Sequence, residues 1–189
     1  NYPNVAVAFE AATGEALADL YQERIFDPLG MENSSLLEGV PEDGAIINSY
    51  YTLPSGEVLN TTDENGSQMW AAGGIISTAE DMAKYAAALS SGSLFQDIDA
   101  TIQMTDFGDE FVASFSGYGL GVGKWSEEPL AWGHGGQIAG FQTLFAIFPN
   151  SLTNVVLLTN SASCNVSGLM GIIQASPALL PTEEDLLVG

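Results

Sequence analysis

Apolar residues recur at helical spacing from Val5 to Phe26, with Leu17, Leu20, Tyr21 and Ile25 on one face and an interruption at Thr13-Gly14. The helix is expected to end in Asp27-Pro28-Leu29-Gly30, because the residue before a proline is pushed out of the helical region. Residues 32–70 lose this periodicity and fill with Gly, Pro, Asn, Ser and Asp. Two strand-like pieces, Ala45–Tyr51 and Glu57–Leu59, are joined by Tyr51-Thr52-Leu53-Pro54-Ser55-Gly56-Glu57-Val58, which reads as a hairpin tip. Ser77-Thr78-Ala79-Glu80-Asp81 then supplies a cap and an acidic first turn for Met82, Tyr85, Ala86 and Leu89, a helix closed by Ser91-Gly92. Lys84, on that helix, is expected to be a solvated surface charge.

From Phe115 the period changes. Tyr118–Gly123, Leu130–Trp132, Gln142–Phe148 and Asn154–Thr159 read as strands joined by short turns, which implies antiparallel pairing. Val166–Gln174 reads as a last helix. The order predicts an α+β fold, an antiparallel sheet flanked by helices. Residues 1–115 form its mainly helical and loop part, 116–176 the strands with the C-terminal helix, and 177–189 an acidic tail.

Composition narrows the function classes. The 189 residues are 46% hydrophobic, enough for a core and too apolar for a wholly disordered chain. No apolar run reaches the ~18 residues of a membrane helix, and no signal-peptide pattern opens the chain. Twenty-four acidic residues against 3 basic ones give a net charge of −21. Such a chain repels phosphate backbones and anionic lipid, so neither nucleic acid nor a membrane is expected as a partner. Salt would screen its self-repulsion, which fits a saline setting. Asn-x-Ser/Thr sequons at Asn33, Asn60, Asn65 and Asn165 favour a secreted or periplasmic location. Cys164 is the single cysteine; it excludes an internal disulfide and is expected to be buried and inert.

The candidate chemistry lies in Trp132-Gly133-His134-Gly135-Gly136-Gln137-Ile138-Ala139-Gly140-Phe141, which holds the only histidine. Glycines around it let a ligand approach the backbone. Zinc wants three or four ligands from His, Cys or carboxylate, and one His with one remote Cys does not supply them. Gly119-Leu120-Gly121-Val122-Gly123 lacks the Lys-Ser/Thr of a phosphate loop. An α/β-hydrolase would need Gly-x-Ser-x-Gly and a second histidine, and the chain has neither. Ser–Lys hydrolases remain, whose third motif is Lys-Thr-Gly or a His-containing variant on a strand.

Four segments, in order, carry a resemblance to the class C β-lactamase-like serine hydrolases, the superfamily of penicillin-binding D-alanyl-D-alanine peptidases, esterases and D-aminopeptidases. They are Glu10–Gly14 with Arg24–Met31 (RIFDPLGM), Ala71–Met82 (AAGGIISTAEDM), Tyr118–Gly121 (YGLG), and Gly133–Phe141 with the following Asn154–Asn160 (NVVLLTN). The resemblance covers residues 1–175 and implies the C-terminal part of a β-lactamase/transpeptidase-like fold, incomplete at the N-terminus. It implies that His134 helps bind the substrate carboxylate or relays a proton. Gly135 and Gly136 would give the substrate access, and the backbone N–H of Gln137 would be an oxyanion-hole donor. The substrate would be a small acyl compound (a β-lactam, a D-amino-acid peptide or an ester), with no metal or organic cofactor.

The chain departs from the family at the nucleophile. Asp81 stands three residues before Lys84 and Gly121 three before Lys124, so there is no Ser-x-x-Lys. Tyr2-Pro3-Asn4 has the letters of the Tyr-x-Asn motif but lies too close to Thr13-Gly14 and reads better as a helix start. These residues alone are therefore expected to be inactive, with a complementary N-terminal chain supplying the nucleophile. The competing expectation is a catalytically dead module of the same fold that binds substrate or peptidoglycan. His134 in place of a lysine tilts the reading from a strict β-lactamase towards a peptidase or esterase.

Overall fold

A computed structural model describes residues 2–40, 44–64, 66–94, 115–127, 130–138, 140–176 and 180. Helix α1 (Tyr2–Thr13) is followed by α2 (Leu17–Tyr21), a π-helical turn (Gln22–Phe26) and a short α3 (Asp27–Leu29). The motif Glu10-x-x-Thr13-Gly14 acts at the first junction. Leu17 donates its N–H to the Glu10 carboxylate at 2.8 Å, so a side chain of α1 satisfies an otherwise orphaned donor of α2. The helix does end within the expected Asp27–Gly30 stop, at Gly30, but not because Asp27 leaves the helical region. Asp27 stays helical, with φ −62° and ψ −49°, and the chain turns only at Gly30. The π-turn is the reason. Asp27 donates to Gln22, five residues back, and the wider turn removes the carbonyl that a proline ring would strike in an α-helix.

Strands β1 (Ser35–Leu36) and β4 (Ile75–Ile76) pair antiparallel, as do β2 (Tyr50–Thr52) and β3 (Val58–Asn60). The hairpin tip lies within the 51–58 stretch, narrower than read because Tyr51, Thr52 and Val58 pair in the ladder, and is closed by Leu53 N–H to the Glu57 carbonyl at 2.8 Å. Strand β2 starts later than Ala45. Ser49 gives its N–H to the Thr62 hydroxyl at 2.9 Å rather than to a ladder carbonyl, so pairing begins at Tyr50. Helix α4 (Ala79–Ser91) has Thr78 as its cap, the hydroxyl accepting from Asp81 N–H at 3.2 Å.

Lys84 is not simply a solvated charge. Its ammonium reaches the fully buried Asp81 carboxylate at 2.8 Å and the Gly30 carbonyl at 2.6 Å. Asp81 also accepts from Asn33 N–H at 2.8 Å and the Ser34 hydroxyl at 3.0 Å. Burial pushes the Asp81 carboxyl up, but the Lys84, Asn33 and Ser34 donors outweigh it and hold the group below the usual carboxylate range. The Ser-Thr-x-x-Asp pattern thus ties the 30–34 loop to the first turn of α4.

The main sheet has five strands in the order β5 (Gly117–Tyr118), β6 (Gly123–Glu127), β7 (Leu130–Ile138), β8 (Phe141–Phe148), β9 (Thr153–Thr159). Tyr118–Gly123 is not one strand. It is the hairpin between β5 and β6, with Gly119 N–H bonded to the Val122 carbonyl at 2.8 Å. Leu144–Phe148 are all buried, as befits an inner strand with both faces covered. Leu144, Ala146 and Phe148 share one face of β8 and pack with Ala131, Leu180, and Met170 and Ile173 of α5 (Val166–Gln174). Leu180, inside the stretch read as a tail, is buried there; the rest of 177–189 lies outside the described residues.

Two compact units divide the chain discontinuously. One holds 1–85, 136–142 and 158–164; the other holds 86–135, 143–157 and 165–189. The first has a core of Ala6, Leu17 and Leu36 lined by Tyr21 and Trp70. Among the described residues no helix is long and apolar enough to cross a membrane. Cys164 is half-buried, not fully buried as expected.

Candidate active site on strand β7

Glycine determines the shape of β7. At Gly133 the strand runs so close to β8 that a Cβ would overlap the Phe145 carbonyl oxygen and lie 3.0 Å from the Ala146 Cα. Its register partner across β6 is Gly123, where a Cβ would overlap the Phe115 ring. The absence of a side chain at Gly123 lets Phe115 lie there, buried, with its ring centroid 4.5 Å from Trp125 and 5.6 Å from both Tyr118 and His134. Gly135 is less constrained, since its Cβ would meet the Trp125 ring at 3.3 Å.

His134, half-buried, has both ring nitrogens engaged. Nδ1 lies 2.7 Å from the Gly135 carbonyl oxygen and Nε2 2.9 Å from the Tyr118 hydroxyl. A carbonyl can only accept, so Nδ1 carries the proton and, in the neutral ring, Nε2 accepts from Tyr118. Beyond Gly135 the strand becomes exposed at Gly136 and Gln137. Alternation puts the His134 and Gln137 side chains on opposite faces of the strand.

The sequence-derived candidates His134, Gly135, Gly136 and Gln137 therefore share one strand. Tyr2 and Asn4 lie exposed in the first turn of α1. Sequence reasoning missed the side chains that surround His134. Tyr118 was read only as part of a strand, whereas its hydroxyl meets the imidazole, and Trp125 packs on Phe115 and on the core of its unit. The Phe-x-x-Tyr spacing ahead of a glycine hairpin is the signal that could have found Phe115 and Tyr118.

Comparison with known proteins puts this strand in a wider setting. A family model described as Beta-lactamase matches residues 1–174. An unguisins hydrolase of Aspergillus campestris is 30% identical over 177 residues, 84% of this chain and 32% of its own. A D-aminopeptidase of Cereibacter sphaeroides is 28% identical over 173 residues, 88% and 32% of the two chains. The D-amino acid amidase of Ochrobactrum anthropi SV3, solved with L-phenylalanine amide, superposes with a TM-score of 0.76 at 26% identity, covering 85% of this chain and 48% of that one. The chain thus spans about a third of the curated relatives' length and about half of the solved structure's.

Proposed function

Because the chain belongs to the Beta-lactamase family, we propose that it supplies the third-motif strand of a Ser–Lys acyl hydrolase. The observation that carries the reading is the glycine-bordered His134, fixed at both nitrogens, on a strand that becomes exposed at Gly136 and Gln137. A serine carried by a segment outside these 189 residues attacks the acyl carbonyl. The Gln137 N–H, with the serine's own, stabilises the oxyanion, a donor typically worth about 3–4 kcal/mol. His134 orients the substrate or passes a proton to the departing group. Water then releases the acyl group from the serine.

The acyl donor we infer is an amino-acid amide rather than a carboxylate-bearing β-lactam. Two of the three basic side chains are paired with carboxylates, Arg24 with Glu15 and Lys84 with Asp81. A net charge of −21 repels anions and favours a free amine. The relatives named as D-aminopeptidase and D-amino acid amidase support an amide of a D-amino acid. The test pairs these residues with a segment carrying Ser-x-x-Lys and compares D-phenylalanine p-nitroanilide with a chromogenic cephalosporin. The anilide is expected to turn over faster, and the 189 residues alone to turn over neither. A cephalosporin hydrolysed as fast would overturn the amide reading, and turnover by the isolated 189 residues would overturn the external nucleophile.

A further inference from the structure

We propose that Tyr118 is a positioning residue for His134, selecting one imidazole tautomer and one ring plane; its part in catalysis rests on the reading of β7 given above. Three features of one compact unit meet at this pair. The Tyr118 hydroxyl is 2.9 Å from Nε2, and its ring stands edge-on to the imidazole at 78°. The Gly135 carbonyl takes the other nitrogen. Phe115 is buried beside both rings, its centroid 5.6 Å from each.

The β5–β6 hairpin brings Tyr118 close to this part of β7: Tyr118 pairs with Gly123, and Gly123 with Gly133, the residue before His134. The space that a side chain at Gly123 would fill is taken by the Phe115 ring, which packs beside both Tyr118 and His134.

A hydroxyl suits this position because it can both donate and accept. While the ring is neutral the Tyr118 hydrogen points to Nε2. If Nε2 takes up a proton, the hydroxyl turns and its oxygen accepts. The imidazole can exchange a proton there without moving. A phenyl ring in place of tyrosine would keep the packing and lose both states.

The experiment uses the 189 residues paired with the segment carrying Ser-x-x-Lys, with 15N-labelled histidine, His134→Gln identifying the resonance. Wild type is expected to show the neutral tautomer with the proton on Nδ1. In Tyr118→Phe the Nε2 resonance is expected to move and the second tautomer to appear, while kcat on D-phenylalanine p-nitroanilide falls about tenfold with KM within about twofold. Phe115→Leu, which keeps the hydroxyl, is expected to keep the tautomer. Should Tyr118→Phe fail to fold, 3-fluorotyrosine at position 118 changes the acidity of the hydroxyl alone and is expected to move the Nε2 resonance. An imidazole spectrum indifferent to either change, or a shifted spectrum with unchanged kcat and pH profile, would overturn the positioning role. Absence of turnover in wild type counts against the hydrolase reading instead, and leaves the tautomer measurement to decide by itself.

Discussion

Gly133→Ala is expected to cost about 3–5 kcal/mol of stability or to prevent folding. The added methyl would overlap the Phe145 carbonyl oxygen. That atom belongs to the backbone of an inner strand whose residues 144–148 are all buried, so it cannot swing aside as a side-chain tip would. Relief would require β7 and β8 to separate where His134 is being held. Gly135→Ala is the control, since its methyl would meet the end of the Trp125 ring at 3.3 Å and the Thr143 carbonyl at 3.4 Å, contacts that a small shift relieves. Its cost is expected to stay within about 1 kcal/mol. Urea unfolding of both variants makes the comparison. Equal tolerance at the two positions would mean that the strands are not as close at Gly133 as described.

Asp81→Ala is expected to cost about 2–4 kcal/mol, because three donors lose a charged acceptor inside the protein. The pH dependence has a definite sign. The folded carboxyl titrates below its unfolded counterpart, so folding favours the ionised form. That stabilisation is present above the unfolded pKa and is lost as pH falls through the lower, folded one. Unfolding free energies measured from neutral pH down to about pH 2 should therefore fall less steeply in Asp81→Ala than in wild type. Asp81→Asn, which keeps size and one oxygen acceptor, should lie between them. Parallel pH profiles for wild type and Asp81→Ala would show that the carboxylate does not carry this term. Lys84→Met is expected to cost less than Asp81→Ala, because Asp81 keeps its Asn33 and Ser34 donors.

The helices were legible where local chemistry sets their ends. Thr78 and Gly92 bound α4 as read, and Asn165 caps α5 by accepting from Gly168 N–H at 2.8 Å. The strand content of 130–159 was legible from alternation, but β6 was not. Gly119 and Gly121 mark a turn as readily as they fit an alternating strand, and Trp125 falls where the β6–β7 register shifts between Lys124 and Ser126. The residues of the candidate site were legible through one glycine-bordered histidine. What holds that histidine was not, because Tyr118 lies 16 residues away and meets it only through the register of three strands. Lys84 was misjudged for a related reason: its Gly30 partner is 54 residues distant and invisible to a local reading.

The π-turn at Gln22–Phe26 bears on how this stretch of chain can change length. Such a turn holds one residue more than an α-helix needs, so a single deletion there would normally be absorbed by reverting to α geometry. Here the reversion would bring the Pro28 ring against the carbonyl four residues back. Deletion of Glu23 alone is therefore expected to be poorly tolerated, while the same deletion combined with Pro28→Ala is expected to fold. Thermal unfolding of the two shortened chains would show whether the extra residue and the proline are bound to be gained and lost together.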